Sequence, residues 1–303
     1  MSKIVAKRDY TGIIGSFLSA QDITEKSKDT YRRSIRPFFK WIDAEGIDLA
    51  TATRNDLLKY KTFLSDKKPA TQATYIVAVR RLYAWLESEK IYPDIAKTVK
   101  AGGQSHGFRK DPLTIEQVKR LLSRIERNTI KGKRDFALIN LLIRTGLRTI
   151  EVERANVEDI RQSGGEALLY IQGKGRSEKD AFVLLTPESL DPIMDYLRAR
   201  GPVGDIDPLF EATGNKAGGE RLTTRSISRI VKDRMGSADI VSNRLTAHSL
   251  RHTAITLSLL GGATIQETQN FARHSNINTT MIYAHNIDRI GNAPERKIAG
   301  LLG

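Results

Sequence analysis

Two segments late in the chain concentrate residue types that act on phosphodiesters. Residues 246–252 read Thr-Ala-His248-Ser-Leu-Arg251-His252, and residues 272–283 read Ala-Arg-His274-Ser-Asn-Ile-Asn-Thr-Thr-Met-Ile-Tyr283. Far upstream, Thr-Gly146-Leu-Arg148-Thr-Ile-Glu151 adds another arginine. A phosphodiester is an anion that gains charge as it is attacked, and fixed guanidiniums stabilise that charge. A tyrosine phenol can attack the phosphorus and form a covalent intermediate.

Each residue also has an ordinary reading. A lone arginine after a turn is usually surface charge, but one at a helix start can aim two parallel donors at a phosphate. His248 and Arg251, three apart, share a helix face. His248 and His252, four apart, have a zinc spacing, yet the intervening glutamate of a His-Glu-x-x-His motif is missing and no third ligand is evident. His252 reads better as a buried or capping histidine that supports the site. A tyrosine after an apolar pair is more often core than nucleophile, so the case for Tyr283 rests on its spacing from His274 and Arg251. Lys174, in Gly173-Lys174-Gly175, falls at a polar, basic hairpin tip, where a solvated turn lysine is the ordinary reading.

The elements that must position these residues follow from patterning. Tyr31, Ile35, Phe38 and Ile42 are spaced 4, 3, 4 on one helix face, with a kink or break expected at Pro37. Asn55 is placed to cap a short helix carrying Leu57, Leu58 and Phe63. Tyr75, Val79, Leu82 and Leu86 repeat the 4, 3, 4 spacing. These faces predict a small helical bundle over residues 1–95. Their opposite faces carry Arg32, Arg33, Arg36, Lys40, Lys59, Lys61, Arg80 and Arg81, which would be phosphate contacts if the bundle grips DNA. Residues 96–112, with three glycines and Pro112, read as a linker. Thr114 and Gln117 form a capping-box pattern, and the apolar run in 134–145 predicts a buried helix stopped by Gly146. Strands at 167–172 and 181–185 flank the Lys174 loop. Thr186-Pro187-Glu188 starts another helix, 223–235 is a basic helix, and Thr264 with Glu267 is a further capping box. The glycine-rich segment 213–219 reads as an exposed loop. The predicted class is mainly α with a small β-hairpin.

Composition narrows the choice of partner to a nucleic acid, against the ordinary reading of a solvated basic surface. The chain has 303 residues with 49 Lys and Arg against 35 Asp and Glu, a net charge of +14. Residues 1–100 hold 19 basic against 12 acidic residues and 101–303 hold 30 against 23, so each part carries +7. Charge spread over two domains suits a polyanion that touches both. There is no cysteine, which excludes disulfides and thiolate metal sites. No apolar run approaches the roughly 18 residues of a membrane span, and the start lacks a signal-peptide core. A cytoplasmic, nucleoid-associated protein with no membrane contact is expected.

Gly146-Leu-Arg148-x-x-Glu151, His248-x-x-Arg251-His252, and His274 followed by Thr279-Thr280-x-x-Tyr283 together resemble the tyrosine recombinase (phage integrase) family, Xer-like and Cre-like site-specific DNA recombinases included. The family carries glycine before the last histidine; this chain carries Arg273. The resemblance implies a SAM-like core-binding domain over 1–95, a linker over 96–112, and a catalytic domain over 113–303 with an exchange tail at 286–303. It implies that Tyr283 attacks DNA to give a 3′-phosphotyrosine and a 5′ hydroxyl. Arg148, Arg251 and His274 would stabilise the transition state, with Glu151 a structural partner of Arg148. His248 would assist proton transfer at the tyrosine. Lys174 would protonate the leaving oxygen, with Lys179 as the fallback. The motif set has no carboxylate cluster for magnesium, so no metal or other cofactor is expected.

The partners implied are double-stranded DNA bearing an inverted-repeat core site and three further copies of the chain. They would form a homotetramer on synapsed DNA that passes through a Holliday junction, each two-domain subunit closing around the duplex. A tail helix with Ile290, Ile298, Leu301 and Leu302 would bury itself in a neighbour. About eight residues precede the first helical region, so no arm-binding module is expected. Integration or excision of a mobile element, dimer resolution and inversion all fit. Two alternatives share the motifs: a type IB topoisomerase, and a DNA-binding protein of the same fold without catalysis.

Overall fold

The computed structural model describes residues 9–102, 111–173, 175–213, 218–291 and 294–302, and the chain divides into two compact units, residues 1–106 and 107–303. The first unit contains helices α1 (Thr11–Ser19), α2 (Glu25–Ala44), α3 (Arg54–Phe63) and α4 (Pro69–Ser88). Ile35, Phe38 and Ile42 of α2 are buried with Leu57 and Tyr60 of α3 and Val79, Leu82 and Leu86 of α4. The helical spacing read from the sequence therefore marks the core face. The expected cap of α3 is corrected, and of the kink or break expected at Pro37 the break does not occur. The α2 helix runs unbroken through Pro37. The lost N–H donor costs one intrahelical bond, while Phe38, Phe39, Trp41 and Ile42 on either side of the next turn are buried and hold the helix in place. The cap of α3 is Thr53, whose hydroxyl accepts from the Asp56 N–H while Asp56 Oδ2 accepts from the Thr53 N–H at 3.0 Å. Asn55 lies inside the helix. Ala96 and Val99, at the start of the expected linker, are buried in this same core. Arg33, Arg36, Lys40, Arg80 and Arg81 are exposed on its surface.

The second unit is built around a buried helix. Its helices are α5 (Ile115–Ser123), α6 (Ile130–Thr145), α7 (Thr149–Arg154), α8 (Pro187–Arg200), α9 (Thr224–Ser237), α10 (Ala247–Leu260), α11 (Ile265–Ala272), α12 (Ile277–Gly291) and α13 (Pro294–Leu302). The α6 helix is buried on nearly every side and packs against both α8 and α10. Leu138, Ile139 and Leu141 have no exposed surface. Truncating one such leucine to alanine removes roughly 2–5 kcal/mol. Asp135, also buried, accepts from Arg134 on its own helix and from Arg234 of α9 at 2.6–2.9 Å, which ties α9 to the core. Ile227, Val231 and Met235 face that core, and Arg225, Arg229 and Lys232 are exposed on the other side of α9.

Three antiparallel strands, β1 (Ile160–Ser163), β2 (Glu166–Ile171) and β3 (Ala181–Leu185), form a sheet in the order β1-β2-β3. The predicted hairpin is β2-β3, with Leu169 opposite Val183. The added strand, Ile-Arg-Gln-Ser, has a single apolar residue and no alternation to reveal it; its pairing with β2 defines it. The capping boxes at Thr114 and Thr264 form as expected, and Thr186 precedes α8. Most of the predicted glycine-rich loop, residues 214–217, lies outside the described residues. No helix among the described residues is long and apolar enough to cross a membrane.

Candidate active site

The turn after α6 is the hub of the site. Gly146 has φ +60°, which strains any L side chain, and a Cβ there would sit 3.1 Å from the Phe271 ring and crowd it. Its carbonyl faces inward and accepts from Arg251 Nη1 at 2.5 Å. Two residues on, Arg148 is the N-cap of α7. Glu151, with no exposed surface, accepts from the Arg148 N–H at 2.7 Å and from its guanidinium at 2.9 Å. The buried carboxylate fixes Arg148 at the helix start, where the helix dipole adds to the positive field.

Arg251 comes from α10 and is 3% exposed. Its second Nη donates to the Ala272 carbonyl at the end of α11. Burial, then the nearby Arg148 and Arg273, pull its pKa down to about 9, so the guanidinium is still a cation at neutral pH. His248, one turn earlier on α10, is exposed. Partial withdrawal from water, then Arg251 and Arg148, hold its pKa below the ordinary value. Arg148, His248 and Arg251 line one cavity of about 150 Å³, together with Thr149, Ser228 and Thr246. Two guanidiniums and an imidazole converging on a space of this kind make an anion site.

Tyr283 lies on α12, 4% exposed, in a small apolar cluster with Ile255, Ala272 and Phe271. Its hydroxyl is 2.5 Å from His252 Nδ1. Burial pushes the phenol up to about 12, against the pull of Arg251 and Arg148. His252 is driven down to about 4, by burial first and then by His248 and Arg251. A neutral imidazole beside a protonated phenol can accept its proton. The residue in contact with the phenol is thus His252, while His248, expected there, stands edge-on to His252 with ring centroids 4.7 Å apart. His274 stacks on the Tyr283 ring at 6.3 Å, and its Nδ1 meets the hydroxyl of buried Thr280 at 2.9 Å. Burial, then Arg251 and Arg148, bring His274 to about 4.

The structure therefore brings together Arg148, His248, Arg251, His274 and Tyr283. Lys174 lies outside the described residues. The chain on either side of it is anchored: Arg154 of α7 donates to the Gly173 carbonyl at 2.9 Å, and Lys179 pairs with buried Asp159 at 2.5 Å. Sequence reading missed Arg154, Asp159 and the Gly146 carbonyl, and it named Thr280 only as part of the motif, without its contact to His274. Thr280 had a signal, since the Thr-Thr pair five and six residues past His274 was visible. The others act through contacts between distant elements, which no spacing announces.

Comparison with known proteins converges on these segments. Residues 112–289 match the phage integrase family, and residues 16–90 match the phage integrase N-terminal SAM-like domain. The tyrosine recombinase XerC of Caldanaerobacter subterraneus subsp. tengcongensis is 30% identical over 260 residues, which cover 82% of this chain and 69% of that protein. The tyrosine recombinase XerD of Vibrio vulnificus is 26% identical over 282 residues, 90% of each chain. In fold, the chain is similar to the XerH site-specific recombinase solved bound to a palindromic difH substrate in a post-cleavage complex. The TM-score is 0.75 at 21% identity, covering 95% of this chain and 85% of that one.

Proposed function

The chain belongs to the phage integrase family of tyrosine recombinases, which cut and rejoin DNA, and from that premise we propose that Tyr283 is its nucleophile in site-specific recombination. The observation that carries this reading is the Tyr283 hydroxyl held 2.5 Å from His252 Nδ1, on the helix that follows the Arg251 contact to the Ala272 carbonyl. The Tyr283 oxygen attacks the phosphorus and forms a phosphotyrosine at the 3′ end. The bond to the 5′ oxygen breaks, and that oxygen leaves with a proton supplied by Lys174. His252 takes the phenolic proton. Arg148, Arg251 and His248 bind the non-bridging oxygens as their charge grows. His274 packs on the nucleophile ring and holds its place through Thr280. Phosphodiester energy is kept in the protein–DNA bond, so the 5′ hydroxyl of a second duplex can reverse the attack.

Two further parts of the reading concern assembly. The exposed basic faces of both units suit double-stranded DNA, with Arg225, Arg229 and Lys232 of α9 among the contacts. The α13 helix leaves Ile298, Leu301 and Leu302 at 54%, 85% and 83% exposure. A groove of about 540 Å³ in the same unit is lined by Ile115, Val118, Leu122, Ile143, Leu257 and Phe271 among others. We assign the groove to the tail of a neighbouring copy, in a cyclic homotetramer that works through a Holliday junction at an inverted-repeat site. Integration or excision of a mobile element, or dimer resolution, is the corresponding role.

The test mixes two differently labelled duplexes carrying a candidate site with wild-type protein and with Tyr283→Phe. Strand exchange and a denaturant-resistant protein–DNA adduct are expected for wild type alone. Relaxation of supercoiled DNA without exchange would instead indicate a topoisomerase. Binding with no adduct from wild type would indicate a protein that has lost catalysis. An undiminished adduct from Tyr283→Phe would remove Tyr283 from the role.

A further inference from the structure

Arg273 stands where the family pattern has glycine, and its backbone shows why glycine suits the position. It closes α11 with φ 53° and ψ 47°, the left-handed conformation that L side chains rarely adopt. This chain keeps the conformation and adds a guanidinium. That group does not line the cavity shared by Arg148, His248 and Arg251. It turns inward, donating to Glu151 Oε2 at 3.0 Å, to the Phe271 carbonyl at 2.9 Å and to the Gly146 carbonyl at 3.4 Å.

Two of those acceptors, Glu151 and the Gly146 carbonyl, already serve the two site arginines. Glu151 holds both the backbone N–H and the guanidinium of Arg148. The Gly146 carbonyl takes Arg251 Nη1, and Ala272, the residue before Arg273, gives its carbonyl to Arg251 Nη2. The residue after Arg273 is His274. One side chain thus bridges the segment carrying His274 to the turn carrying Arg148, through a carboxylate with no exposed surface. A buried carboxylate shared by two guanidiniums has a defined geometry, and loss of either partner lets it rotate.

We propose that Arg273 is a positioning residue: through Glu151 and the Gly146 carbonyl it fixes the relative placement of Arg148, Arg251 and His274. Arg273 does not itself touch the phosphate. The inference rests on the Tyr283 site described above.

The experiment is single-turnover cleavage of a nicked half-site DNA, over a range of protein concentration, by wild type and by Arg273→Gly, Arg273→Asn, Arg273→Lys, Glu151→Gln and the Arg273→Gly/Glu151→Gln double variant. Thermal melting of each confirms folding; glycine and asparagine both tolerate the left-handed backbone. At saturating protein, Arg273→Gly and Arg273→Asn should slow cleavage about tenfold or more, the order expected for misplacement of reacting groups. The half-saturating concentration should move by less than about twofold, since no phosphate contact is lost. Lysine should restore most of the rate. The double variant should be no slower than Glu151→Gln alone, because the glutamate is the route of the effect. Three results would overturn the proposal: wild-type cleavage by both small variants, an affinity loss as large as the rate loss, or multiplying effects of the two substitutions. Tyr283→Phe runs alongside. An adduct from that control would defeat the site assignment, whereas its absence leaves the arginine series to judge Arg273.

Discussion

The Tyr283 hydroxyl and His252 Nδ1 lie 2.5 Å apart, on helices α12 and α10. The phenol is pushed up to about 12 and the imidazole down to about 4, so at neutral pH the phenol keeps its proton and the imidazole is uncharged. Both shifts start from burial, which disfavours phenolate and imidazolium alike.

That pairing makes cleavage and stability depend on pH in a definite direction. His252 and His274 fall from 6.5 to about 4 on folding. Between those values the unfolded chain binds protons that the folded chain does not, so stability is lost as pH falls from 6.5 towards 4. The melting temperature should decline through that window, and less steeply in a His252→Asn/His274→Asn variant than in wild type. The acid limb of the cleavage rate should track the His252 value near 4. An acid limb centred at 6.5, or equal melting slopes in the two proteins, would contradict the buried-histidine account.

Arg148→Ala and Arg251→Ala should each slow cleavage about 100-fold or more, as for other lost charge-stabilising groups. Lysine should rescue either only in part, because it lacks the paired donors. Their stabilities should differ. Removing Arg251 strands the Ala272 carbonyl in the interior and leaves the Gly146 carbonyl only the 3.4 Å contact from Arg273, whereas after loss of Arg148 the buried Glu151 still has Arg273 at 3.0 Å. Calorimetry should therefore show the larger drop in melting temperature for Arg251→Ala. The reverse order would mean that Arg273 does not neutralise Glu151.

The two hairpin lysines should separate cleanly. Lys179 is committed to Asp159, which is 1% exposed and also accepts from the Asn156 N–H at 2.7 Å. Lys174→Ala should be restored substantially on DNA whose 5′ bridging oxygen is sulfur, since a thiolate leaves without a proton. Lys179→Ala should lower the melting temperature, because the buried Asp159 carboxylate loses its cation, and gain little from sulfur. Sulfur rescue of Lys179→Ala in place of Lys174→Ala would reverse the assignment.

Truncation after Ile287 removes the exposed apolar residues of α13. It should weaken tetramer formation and strand exchange while half-site binding by one subunit survives, because α9 and the helical unit remain. Sedimentation on synaptic DNA checks this. Stable tetramers and normal exchange by the truncated protein would show that the groove beside Phe271 needs no tail.

The sequence by itself determined most of the helices and put forward the residue types that the fold gathers around Arg251. Ile35, Phe38 and Ile42 are buried because their spacing fits one helix turn after another, and Thr114 and Thr264 cap because a hydroxyl three residues before a Gln or Glu meets free N–H groups. These are local effects, and local order reveals them. The reactive residues were legible for a related reason: their types are constrained by the chemistry. Tertiary structure decided how they meet. His252 and not His248 contacts the phenol, because α12 crosses α10 at that turn. Strand β1 exists only through its ladder with β2. Arg273 became part of the site because Glu151, distant in sequence, was buried beside it. Such contacts join residues far apart in the chain, and their energy comes from burial and paired charge that arise only once the core has closed around them.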